Sequence, residues 1–345
     1  MHETQARRGV RRGAAVLLAM VLALSLGWQR TWADEERQLI PVGKAVGIKL
    51  FADGVLVVSV SPVQGTEETR SPAKECGLKE GDILLTFNGE KIRSTEHLQA
   101  MLAENGETAA ELTVQRDGKT RGVTASPVVC EDGGIRLGAW IRDSMAGIGT
   151  VTYYDPATGD FGALGHGITD GDTMALMPFG SGSILPSTVK AVKKGSSGSA
   201  GELRGNFDLS GDLGPLCANT DCGIFGTLPA DCALAVGDAL PVGDAVEGPA
   251  TIRANVSGDE VREYTVEILK RLPNASDGRE MVISVTDPDL IAATGGIVQG
   301  MVVSYNRDNS GEKPLRRKAL RACRIGAPVR CRRGQYGTTP FLQTG

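Results

Sequence analysis

Histidine is nearly missing from this chain: 345 residues carry only His2, His97 and His166. A metal site built on imidazoles has almost no ligands to draw on, so no metal is expected. The sequence has no H-E-x-x-H, which disfavours a zinc metalloprotease, and no G-x-x-x-x-G-K-[ST], which disfavours a P-loop nucleotide enzyme. No cofactor is expected. The seven cysteines form no C-x-x-C and are odd in number, against both a disulfide scaffold and a zinc finger. Cys217 and Cys222 are near enough in sequence to bridge after export, although buried thiols fit the pattern better. Aromatic residues make up only 4% while glycines number 46, a balance that suits short strands and many turns over long helices.

Long apolar runs are equally scarce. The one present, Gly13 to Trp28 ("GAAVLLAMVLALSLGW"), follows Arg7, Arg8, Arg11 and Arg12 and precedes Asp34 to Glu36. A basic flank, an apolar centre and an acidic exit describe an export signal whose basic end stays in the cytoplasm. It falls short of the ~20 residues that comfortably span a bilayer. "TWA" at Thr31 to Ala33 offers a cleavage site, while Trp28 and Trp32 suit a membrane interface, with an uncleaved anchor preferred. Residues 1–36 are thus an export signal or membrane anchor that meets the membrane through 13–28. The rest of the chain is expected outside the cytoplasm.

Charge is unevenly spread. From Val302 to Gly345 ten Lys and Arg face only Asp308 and Glu312, a net +8, which leaves the preceding chain at −12 within a total of −4. An exported location gives a basic tail no nucleic acid to bind, and none is expected as a partner.

Residues 38–127 read as one domain. In "SPAKECGLKEGDILLTFNGEKI" (Ser71 to Ile92), Ile83, Leu84, Leu85 and Phe87 form a short buried strand, and Asn88-Gly89 signals a type I′ hairpin. Ser94 can cap a helix that carries Leu98, Met101 and Leu102 on one face and stops at Gly106. This text resembles a PDZ domain. The resemblance implies capture of an extended peptide or peptide C-terminus as an added strand beside a glycine loop. Val46, Gly47 and Ile48 occupy the position of that loop. His97 reads as a solvated helix residue.

Residues 135–301 are strand-rich and punctuated by glycine. His166 stands between glycines in "GALGHGITD", which leaves room for a substrate and a bent backbone. Asp287 ends the strand "MVISV", and "TGGIVQGM" follows, a glycine turn whose N–H groups could form an oxyanion hole. Histidine, then aspartate, then a glycine turn is the chain order of chymotrypsin-type serine peptidases. "YYDPATGDFGALGHGITDGDT", "NTDCGIFG" and "TGGIVQGM" resemble the SpoIVB peptidases of endospore-forming bacteria, as does the order of anchor, PDZ domain and peptidase domain. The resemblance implies a mainly β fold with a chymotrypsin-like β-barrel peptidase domain, His166 as general base and Asp287 as the acid that orients it. It also implies self-cleavage and cleavage of a membrane-protein partner in the space between the forespore membranes.

The nucleophile does not carry over. The family continues its turn as G-M-S-G-S-P, and here Gly300-Met301 continues as Val302. "GSSGSA" (Gly195 to Ala200) reads as an ordinary Gly-Ser turn. Ser304 lies ~6.5 Å farther along an extended strand, beyond hydrogen-bond reach of a fixed imidazole. The switch in composition and family likeness after Met301 points to a reading-frame shift near codon 302, making 302–345 a basic tail foreign to the family. The peptidase barrel is then expected to be incomplete at its C-terminal end, leaving a stable PDZ fragment and a protease-sensitive remainder. The competing reading is a catalytically dead PDZ peptide-binding module.

Overall fold

A computed structural model describes residues 37–196, 201–234, 237–242, 246–272 and 281–296, and the backbone of 302–305. The expected anchor therefore lies outside the described residues, and no described helix is long and apolar enough to cross a membrane.

The first strand organises the molecule. β1 (Gln38–Val60) runs for 23 residues, alternating β-branched and apolar positions with glycines. Then follow α1 (Pro72–Glu75), β2 (Ile83–Phe87), α2 (Thr95–Asn105), β3 (Ala110–Arg116) and β4 (Lys119–Ala125). The local signals of the PDZ text are realised. Asn88 and Gly89 both take positive φ, Ser94 accepts from the His97 N–H at 3.1 Å, and the Gly106 N–H closes the helix on Leu102. β5 (Ala139–Tyr154) is the second long strand. It leads into β6 (Asp160–Ala163), β7 (Ser181–Leu185), β8 (Gly214–Thr220) and β9 (Gly223–Thr227).

The strand order β5-β6-β9-β8-β7-β1 closes on itself because β1 also pairs with β5, giving a six-stranded barrel. Closure leaves no free edges inside the ring. Its core holds Ile48, Leu50, Phe161, Ile168, Met177, Phe179 and Ile184, none measurably exposed. Between Phe51 and Leu56 the register of β1 against β5 shifts, and both strands leave the barrel together. Beyond that point Val55–Val60 joins a second sheet in the order β4-β3-β2-β1, with the start of β5 on its far side. The two domains thus share β1 and β5. The expected PDZ span 38–127 gives its first fourteen positions, through Phe51, to the peptidase barrel, and takes Ala139–Arg142 from the peptidase span in return.

A separate four-stranded sheet completes the described fold. It consists of β10 (Gly248–Ser257), β11 (Glu260–Arg271), β12 (Met281–Val285) and β13 (Val302–Tyr305), in the order β12-β11-β10-β13. The short helix α3 (Pro288–Thr294) connects β12 toward β13. Among the described residues this sheet stays open. Its composition corrects one expectation, however: Val302–Tyr305 is not foreign text but a strand in register with Thr251, Ile252 and Arg253.

Candidate active site

β6 delivers His166. After Ala163 the chain turns sharply. Leu164, a non-glycine residue, takes φ +71° and Gly165 takes φ +76°. Positive φ at a leucine costs energy and persists only where the surroundings hold it. Here the Leu164 N–H donates to the Thr150 carbonyl of β5 at 3.0 Å, and the Ile168 N–H donates to the Asn219 Oδ1 of β8 at 3.4 Å. Asn219 is 1% exposed, so this bond is shielded from water. Asp170, fully buried, closes the loop. Its Oδ1 accepts from the Asp172 N–H (3.1 Å), the Thr173 N–H (2.9 Å) and the Thr173 hydroxyl (3.1 Å), while its Oδ2 accepts from Arg142 of β5. The imidazole is half-buried, and its Nδ1 lies 2.7 Å from the carbonyl oxygen of Gly167. That contact suits the tautomer with a proton on Nδ1, which leaves Nε2 as the basic nitrogen.

Asp287 does not meet His166. It is the N-cap of α3: its Oδ1 accepts from the N–H groups of Asp289 (3.0 Å) and Leu290 (3.1 Å), and its Oδ2 from the Thr265 N–H at 3.5 Å. The signal was present in "TDPDL", since Asp followed by Pro marks the first residues of a helix. Reading Asp287 only as the end of a strand missed that helix. An Asp287→Ala change should destabilise the fold by about 0.5–2 kcal/mol through the lost cap. Urea unfolding measures it, and an unchanged midpoint would contradict the capping role.

Gly300-Met301 and most of "GSSGSA" lie outside the described residues. Val302 is described only as backbone, at the edge of the separate four-stranded sheet. Val46, Gly47 and Ile48 are not a carboxylate loop. They sit in β1 opposite Gly149, Ile148 and Gly147 of β5, and Gly47 and Ile48 also face Leu185 and Ile184 of β7. Val46 and Ile48 are buried, and with a strand on each side this stretch has no edge left for a peptide. Gly47 is required by packing, since a Cβ there would stand 2.4 Å from that of Phe207. The glycine looked like a loop signal because sequence alone does not distinguish a turn from a close approach. Val46 also lines a cavity of about 580 Å³ with Lys44, Ser187, Phe207 and Asp259, a group that does not include His166. Cys222 is a free thiol, so Cys217 and Cys222 are not bridged to each other. His97 is half-buried rather than solvated, with Nε2 3.4 Å from Glu90 and Nδ1 accepting from the Arg93 N–H. No cluster of metal-ligating side chains occurs among the described residues.

Sequence asked for Asp170, Arg142 and Asn219 only indirectly. Asp170 closes the GHGITD motif and Asn219 opens NTDCGIFG, so both lay inside quoted text without being assigned a task. Arg142 carried no local signal, because its partner is distant in the chain.

Comparison with known proteins gives this geometry a context. The family model for SpoIVB peptidase S55 matches residues 133–306, and that for a PDZ domain matches 66–116. The peptidase match runs past Met301 to residue 306, in keeping with β13 as part of the fold. The regulator of sigma-W protease RasP of Bacillus subtilis is 37% identical over 76 residues, 22% of this chain and 18% of that protein. Metalloprotease MmpA of Caulobacter vibrioides is 34% identical over 91 residues, 25% of this chain and 22% of its own length. The chain thus spans about a fifth of the length of these curated relatives. Among solved structures, the PDZ domain of an SdrC-like protein from Listeria monocytogenes matches at 18% identity and a TM-score of 0.22, covering 26% of this chain and 87% of that one. With half of its residues matched by the peptidase model and a PDZ match ahead of them, the chain belongs to the SpoIVB peptidase S55 family, a serine peptidase domain joined to a PDZ module.

Proposed function

We propose that this protein is an exported, membrane-associated regulatory endopeptidase of sporulation whose own catalysis is impaired at position 302. The observation that carries the reading is a complete His166 loop in a chain whose family-matched segment has valine where the serine is expected. In the family's chemistry, a serine hydroxyl gives its proton to the imidazole as its oxygen attacks the scissile carbonyl carbon. The imidazolium then protonates the leaving amine, and water releases the acyl group by the reverse proton path. His166 would serve as that base and Asp287 as the acid that steadies the imidazolium, a role that requires Asp287 to exchange its capping bonds for the Nδ1–H. Valine has no O–H to give up, so no acyl-enzyme can form at residue 302. The segment 13–28 would hold the protein at the membrane with its catalytic part outside the cytoplasm, acting on itself and on a membrane-protein partner. The PDZ module would select peptides for cleavage. The valine equally favours a second reading, a peptide-binding protein without catalysis.

A serine-directed fluorophosphonate probe separates active from inactive chains. The chain as written should take up no label beyond background. Labelling that disappears on His166→Ala would show a working serine elsewhere and overturn the proposed impairment. Val302→Ser, measured beside it, asks whether the lost hydroxyl is the only defect.

A further inference from the structure

The cavity beside β1 lies where distant stretches of chain converge. They are Lys44–Val46 of β1, the hairpin of Ser187–Lys193 and Glu202–Phe207, the loop that follows it, and Asp259 at the turn between β10 and β11. Its volume of about 580 Å³ falls within the about 300–1,000 Å³ usual for small-molecule sites. Neither His166 nor Asp287 lines it, so it stands apart from the peptidase chemistry. Val46, Pro186, Phe207, Leu213 and Leu234 supply a largely apolar wall. The hairpin register then sets polar groups next to hydrocarbon, with Ser187 opposite Phe207 and Thr188 opposite Asn206.

The polar groups divide into committed and uncommitted. Both acids are engaged. Asp259 Oδ1 accepts from the Thr188 hydroxyl at 3.0 Å and lies 3.5 Å from Lys44 Nζ, which also donates to the Asp259 carbonyl at 2.5 Å. Asp208 Oδ1 accepts from the Ser210 N–H (2.9 Å) and the Ser210 hydroxyl (2.6 Å). Ser187 is different. It is 8% exposed, and its buried hydroxyl has no hydrogen-bond partner, which native interiors rarely tolerate. The exposed Lys190 ammonium makes no hydrogen bond or ion pair with a described residue. What remains unspent is therefore an O–H and a positive charge, beside hydrocarbon. That set matches an amphipathic anion. One free ammonium matches one negative charge, which favours a carboxylate over a phosphate, whose second charge would go unmatched.

We propose that this cavity binds a medium-chain alkyl carboxylate, its head held by Ser187 and Lys190 and its chain along Val46, Phe207 and Leu234. The bound chain would lie at the seam between the barrel and the four-stranded sheet. Lys44–Asp259, Thr188–Asp259 and the paired backbone bonds of Val189 and Gly258 (3.0 and 2.9 Å) already hold that seam.

Hydrogen exchange on the full chain, titrated with octanoate, octanol and octylammonium, tests this. Octanoate should slow exchange over residues 44–46, 187–190 and 206–208 at about tenfold lower concentration than octanol, and octylammonium should not slow it. From hexanoate to octanoate, affinity should rise about fourfold per methylene. Lys190→Met keeps the apolar stem without the charge and should bring octanoate down to the level of octanol. Ser187→Ala should weaken octanoate while leaving the free chain as stable or more so, since it removes an orphaned hydroxyl. Ala233→Trp, at an exposed lining residue, should block binding in a chain that still folds. Equal protection by all three probes, or octanoate binding unchanged in Lys190→Met, overturns the carboxylate assignment. Absence of protection at these segments, or protection that survives Ala233→Trp, overturns the site. A loss of stability in Ser187→Ala with unaltered octanoate binding would make that serine structural and overturn its role in holding the head.

Discussion

Arg116→Ala should cost about 3–5 kcal/mol of stability, the usual result of breaking a buried ion pair from one side. Asp82, the acid of "GLKEGD", is fully buried, and its side chain accepts from Arg116 Nε (2.5 Å), Arg116 Nη2 (2.6 Å) and the Lys79 N–H (2.8 Å). Arg116 also donates to the Gly77 carbonyl at 2.7 Å. The side-chain hydrogen bonds to Asp82, with its negative charge, hold the guanidinium above its ordinary pKa, so Arg116 keeps its charge. Removing the arginine leaves a carboxylate out of reach of water with only one backbone donor. Its choices are to remain charged and unpaired or to take up a proton, and both cost stability. Arg116→Lys should recover only part of the loss, since an ammonium cannot make the two parallel bonds. Chemical denaturation of the full chain reads the difference. A loss below about 1 kcal/mol would mean the pair behaves like a surface salt bridge.

The fold was legible where its signals are local. Asn88-Gly89, the Ser94 cap and the Gly106 stop each act within a few residues, and all three formed where the text placed them. His166 stood out for the same reason, because its flanking glycines and the strained Leu164 share one short segment. Partnerships between distant segments were not legible. Nothing near Arg142 announces Asp170, and nothing near Val46 announces that β5 and β7 will enclose it. Asp287 shows a third kind of failure. Its chain order suggested catalysis while its own neighbour, Pro288, marked it as a helix cap. The local signal was the better guide to the geometry, and the order argument survives only as a proposal about function. The seam after Met301 moved for a related reason. Composition changes there, yet Val302, Val303 and Tyr305 still suit a strand and pair as one with β10.

A PDZ unit cut free of the barrel at Ala52 and ended at its expected limit, residue 127, should not fold. The fragment 52–127 retains the helix face of Leu98, Met101 and Leu102 but lacks Ile135, Leu137, Ala139 and Ile141, which pack in the same core. Leu137 is 4% exposed, and losing one such side chain from a core typically costs about 2–5 kcal/mol. The cut also leaves one edge of Val55–Val60 without the strand that covers it in the intact chain, which favours association between copies. Several such losses together exceed the about 5–15 kcal/mol by which whole domains are stable. This reverses the outcome that sequence suggested, a stable PDZ core that outlives the rest of the chain. Sharing β1 and β5 makes the PDZ sheet and the barrel depend on each other. The direct measurement is thermal unfolding, followed by circular dichroism, of fragment 52–127 beside fragment 52–146, which restores the borrowed strand. The account predicts no cooperative transition for the shorter fragment and a cooperative one for the longer. Equal, cooperative melting of both would contradict it.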